Sequence, residues 1–85
     1  MTTMAETHNR LAGKFLKSIV RETLDAGCST GEIYVVLESV VAGVLMACGE
    51  IEGLDARGRD SMLMALETGV RNRLVEMEIK RGMTR

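Results

Sequence analysis

Nine apolar residues between Ile33 and Ile51 constrain this chain more than anything else in it. Ile33, Val36, Leu37, Val40, Val41, Val44, Leu45, Cys48 and Ile51 recur at helical spacing. At about 100° per residue they cover well over half of a helix's circumference, and Tyr34 widens one edge. A helix on the surface of a small bundle needs only a stripe. An arc this wide predicts a central helix, covered on at least two sides. Residues 40–49 carry no charge, so a membrane span has to be weighed, and a span needs about 20 apolar residues. Glu38 and Glu50 interrupt the run and Glu32 and Glu52 flank them, so the segment reads as a buried helix of a soluble protein.

Punctuation on either side divides the chain into three helices. The first is predicted at about 5–26, from the spacing of Leu11, Phe15, Leu16, Ile19, Val20 and Leu24. Gly27 suits the left-handed residue that ends a helix. Ser29 is a natural N-cap, and Glu32 three residues on completes a capping box, which starts the second helix at 30 and carries it to about 52. Gly53 is the expected terminator there, with Leu54 making the apolar contact of a Schellman ending. Asp55 then caps a third helix at about 56–81, with Gly82 as its stop. Residues 1–4 are expected to be a disordered start and 83–85 a short tail. Both connections are short, which favours antiparallel neighbours. The expected fold is therefore all-α: one domain spanning 1–85, a three-helix antiparallel unit around the second helix.

At 85 residues such a unit is small. A domain of this size buries only about 60% of the surface of its unfolded chain, and small domains compensate with disulfides, a metal or association. Cys28 and Cys48 have no framework spacing, and one histidine, His8, with two scattered thiols makes no zinc pattern. The start of the chain, Met1 to Asn9, is polar and lacks the apolar segment of a secretion signal, so the cytoplasm is the expected compartment. Association remains, and a homodimer is expected.

Two surfaces fit a partner helix. Ser39, Gly43 and Ala47 are spaced by four along the second helix, and small residues at that spacing admit a close backbone approach. The groove suits either another helix of the same chain or a symmetric crossing of two second helices. The third helix has an expected core stripe of Leu63, Leu66, Val70, Leu74 and Met77. Nearly opposite lie Ser61, Ala65, Thr68, Asn72, Val75 and Ile79, spaced 4-3-4-3-4 like the seam of a short coiled coil. Ala65, Thr68, Asn72, Val75 and Ile79 join Ser39, Gly43 and Ala47 as expected dimer-interface residues.

Charge is segregated. Arg10, Lys14, Lys17 and Arg21 fall within an arc of about 60° on the first helix, with Glu6 and Asp25 placed to neutralise its ends. Residues 29–53 hold four Glu and no basic residue. The basic stripe is the expected contact for a larger protein with an acidic surface. The net charge of −1 gives no global pull toward nucleic acid or anionic lipid. Phe15 and Tyr34 are too few aromatics for a single-strand stacking platform.

Chemistry is hard to find. No phosphate-binding glycine pattern occurs, His8 has no nucleophile beside it, and Glu38 and Glu50 lie about 18 Å apart along one helix. No catalytic residue, cofactor or metal is expected. Residues 24–33, Leu24-Asp25-Ala26-Gly27-Cys28-Ser29-Thr30-Gly31-Glu32-Ile33, resemble the turn of a helix-turn-helix unit, which would imply a small DNA-binding regulator. The following Tyr34-Val35-Val36-Leu37 continues into apolar helix, where a second turn and polar base-reading side chains belong. The reading is a non-catalytic protein-interaction module, a small regulator, adaptor or inhibitor, with DNA binding as the alternative.

Overall fold

A computed structural model of the chain describes residues 3–83. Among these, everything between the turns is helical and no strand occurs, so the all-α expectation holds. Helix α1 (Met4–Leu16) passes into a π-helical turn (Lys17–Arg21) and then α2 (Glu22–Asp25). The junction residues Lys17 and Arg21 keep right-handed helical dihedrals, so the three pieces form one rod. Helix α3 (Thr30–Glu52) and helix α4 (Ala56–Met83) follow.

The helix ends are set by local chemistry. Thr3 opens α1 by accepting the Glu6 N–H on its hydroxyl at 3.1 Å. The first rod closes with Gly27 at φ 85°. There the Cys28 N–H donates to the Thr23 carbonyl at 3.1 Å and the Gly27 N–H to the Leu24 carbonyl at 3.0 Å, the paired bonds of a Schellman ending. The same pair recurs after α3. Gly53 has φ 69°, the Leu54 N–H reaches the Gly49 carbonyl at 2.7 Å, and the Gly53 N–H reaches Glu50 at 3.2 Å. Asp55 caps α4 through its carboxylate, which accepts the Gly58 N–H at 2.9 Å.

The start and stop differ slightly from expectation. Met4 is already helical, while residues 1 and 2 of the expected disordered start lie outside the described residues. Gly82 does not end α4, because it lacks the positive φ found at Gly27 and Gly53. The helix continues to Met83, and the rest of the expected tail, 84 and 85, lies outside the described residues.

Contacts divide the backbone into two units, one up to Ala42 and one from Gly43 onward. In the first, Leu11, Ile19, Val20 and Ile33 are half-buried. In the second, Leu45, Cys48, Leu54, Arg59 and Met62 are half-buried, and Arg59 and Leu54 lie against Gly49, the one buried residue among those described. No described apolar side chain is buried in either unit. Two expectations are corrected here. Helix α3 is not a covered centre, since Val36, Leu37, Val40 and Val44 are all exposed. The stripe assigned as the core face of the last helix is also open, from 42% exposed at Leu66 to 62% at Met77. Every residue from Leu63 to Gly82 is exposed. The apolar periodicity is correct, but no segment of either unit covers it.

Candidate interaction surface

The π-turn positions two concave regions of the first unit. A π-turn bonds each residue to the fifth one on and is found often at functional sites. Here it brings Ile19 and Val20 to the side of the rod that faces the start of α3. The rod and α3 leave two grooves of about 480 Å³ each, one on either side of Phe15 and Ile19. One is walled by Leu16, Val20, Ile33, Tyr34 and Leu37. The other is walled by Thr23, Ala26, Cys28, Val36 and Val40, with Glu22 at its edge.

The basic stripe lies along the outside of this rod. Arg10, Lys14, Lys17 and Arg21 are all exposed. Among the described residues, neither Glu6 with Arg10 nor Asp25 with Arg21 closes an ion pair, so the expected neutralisation of the stripe's ends is absent. Lys17 and Arg21 bound the π-turn and, with Leu16 and Val20, line a shallow depression. Two cations beside an apolar floor suit a partner offering carboxylates beside apolar side chains. This depression and the grooves went unread in the sequence. Their signal is the step from Phe15 to Val20, five residues between two steps of four (Leu11 to Phe15, Val20 to Leu24). That signal is masked because Ile19 also satisfies an ordinary α register.

The expected interface residues are accessible. Gly43 has no atom within 4 Å of where a Cβ would stand. Ser39 and Ala47 are exposed on the same face of α3, and Ala65, Thr68, Asn72, Val75 and Ile79 are exposed along α4. The two hydroxyls among them are turned inward. Ser39 Oγ donates to the Val35 carbonyl at 3.4 Å and Thr68 Oγ1 to the Met64 carbonyl at 3.2 Å. Each face can then be covered by a partner without stranding a hydroxyl donor.

Titration is perturbed at the start of α3. The Glu32 carboxylate accepts the Ser29 N–H and the Ser29 hydroxyl, each at 3.1 Å, and the Ser29 hydroxyl accepts the Glu32 N–H at 3.3 Å. The backbone bond, then the hydroxyl, with a smaller contribution from the Cys28 side chain, hold Glu32 below its ordinary value. This is a capping box, and its role is structural.

Among the described residues no three His, Cys, Asp or Glu side chains are grouped so as to hold a metal ion. After the Ser29 cap, α3 runs 23 residues without the second turn that a DNA-reading unit requires. Its length has a further consequence, because an 18-residue stretch of α3 has a mean hydropathy of 1.7 and is long and apolar enough to cross a membrane. The uncharged run of residues 40–49, on which a span was set aside, is only about half the length a span needs, whereas the whole helix meets it. Glu38 is an acidic residue within the apolar part of α3, and ionisable residues inside spans are rare and costly. Comparison with protein families, curated proteins and solved structures finds no match to this chain.

Proposed function

We propose that this chain is a non-catalytic protein-binding module that works as a homodimer in the cytoplasm, acting as a regulator, adaptor or inhibitor of a larger protein with an acidic surface. The observation that carries the reading is that, among the described residues, no apolar side chain of either unit is buried. The small-residue face of α3 (Ser39, Gly43, Ala47) and helix α4 are the contact elements in this proposal. The stripe of Arg10, Lys14, Lys17 and Arg21 then faces the larger partner.

Sedimentation equilibrium at micromolar concentration tests the reading, with a mass of twice 9.3 kDa expected. A helical species at the monomer mass overturns it. Flotation with lipid vesicles is the companion measurement. The dimer stays with the soluble fraction, and co-flotation of the chain would assign α3 to the bilayer instead.

A further inference from the structure

Resting on the dimer reading, we infer that two copies pair through α4, in parallel, along the stripe of Leu63, Leu66, Val70, Leu74 and Met77. All five are exposed, and nothing in their own unit covers them. Their spacing is 3-4-4-3, so at about 100° per residue all five fall within an arc of about 80° along α4.

The charges beside the stripe select the second copy and its direction. At about 100° per residue, Glu67 and Glu78 fall on one edge, with Asp60 in line. Arg73 and Lys80 fall on the other. Three residues soften the contrast: Arg71, which donates to Glu67 at 2.8 Å, Glu76 behind Arg73, and Arg81, which falls in line with the stripe itself one turn beyond Met77 and marks the end of the paired stretch. In a parallel pair each edge meets the opposite edge of its partner. Arg73, just before Leu74, then faces Glu78, just after Met77, and symmetry makes this contact twice. An antiparallel pair sets each edge against itself, Glu67 and Glu78 against the same acidic edge. The face is therefore self-complementary in one direction only. A parallel pair also leaves the opposite seam, from Ala65 to Ile79, on its outer side.

The test uses the full chain with Cys28→Ala and Cys48→Ala. Met77→Cys is expected to form a disulfide between copies in a thiol redox buffer. An equal mixture of the Leu63→Cys and Met77→Cys chains is expected to give no mixed disulfide, and a mixed 63–77 disulfide would overturn the parallel direction. Separately, Arg73→Glu and Glu78→Arg should each weaken dimerisation about tenfold, the loss of two exposed ion pairs of ordinary strength, and the double swap should restore it. A dimer by sedimentation with no 77–77 disulfide and no response to either charge reversal overturns the α4 pairing and leaves the dimer reading standing. A monomer overturns both.

Discussion

Arg59 lies across Gly49. Its Cγ stands 3.0 Å, and its Cδ 3.2 Å, from the place a Cβ on Gly49 would occupy. Its guanidinium donates to the Leu54 carbonyl at 3.4 Å. The Leu54 Cβ stands 3.1 Å from where a Cβ on Gly58 would be. Two glycines thus give room to two longer side chains, and the corner between α3 and α4 closes on contacts that any Cβ there would crowd.

Gly49→Val is therefore expected to destabilise the protein by about 1–3 kcal/mol, the usual cost of overpacking. A Cβ at Gly13 meets nothing within 4 Å, so Gly13→Ala should stabilise by up to about 1 kcal/mol through helix propensity. Thermal melts followed by circular dichroism should move in opposite directions for the two variants. An unchanged melt for Gly49→Val would show that the Arg59 stem moves aside freely.

Gly43→Leu separates a lone chain from a dimer that uses α3. Inside the chain a Cβ at Gly43 meets nothing within 4 Å, and replacing Gly gains about 1 kcal/mol of helix propensity. In a close helix crossing the same side chain overpacks by about 1–3 kcal/mol. The expected result is weaker dimerisation with helicity retained, read by sedimentation and circular dichroism together. A higher melting temperature with an unchanged dimer would remove Ser39, Gly43 and Ala47 from the interface.

Ser29→Ala removes the cap of α3 and should cost about 1 kcal/mol. It should also change the acid limb of the stability curve. Glu32 is held low in the folded chain by the Ser29 N–H and hydroxyl, so its contribution is fully present above the ordinary carboxyl range. That contribution fades as pH falls through the lowered folded value. Urea titrations at neutral pH and at about pH 3 should give a smaller difference for Ser29→Ala than for the parent. Equal differences would mean that Glu32 keeps its low value through the backbone bond alone.

Reversing Lys14 and Lys17 to Glu should leave folding intact, since exposed charges contribute at most about 1 kcal/mol each. Capture of the larger partner, once isolated by pull-down, should slow, with the greatest loss at low salt, because surface charges act on association rate. Stopped-flow association at two salt concentrations reads this. Equal rates for parent and double reversal would leave the stripe as a solvated face.

The turns on either side of α3 were legible because they are local, whereas the expected stop at Gly82 was not met. Ser29 with Glu32, Gly27, Gly53 with Leu54, and Asp55 each act within a few residues, and each makes the bond its type predicts. What covers the helices was not legible. Leu63 to Met77 reads the same whether its cover comes from its own chain or from another copy, since periodicity reports which side chains are apolar and not what meets them. The basic stripe was found by spacing, but the depression between Lys17 and Arg21 required the π-turn, and Ile19 beside Val20 conceals it.

The π-turn also behaves as a single surplus residue in the chain's reading frame of faces. Deleting one residue between Lys17 and Arg21 would let the rod close in ordinary α register. The wide turn already absorbs the surplus residue, so Leu11, Phe15, Val20 and Leu24 would then follow one another at steps of four on the side they already share. What such a deletion removes is the local widening that Lys17 and Arg21 bound, so the surplus residue alters one turn and leaves the faces on either side of it in frame.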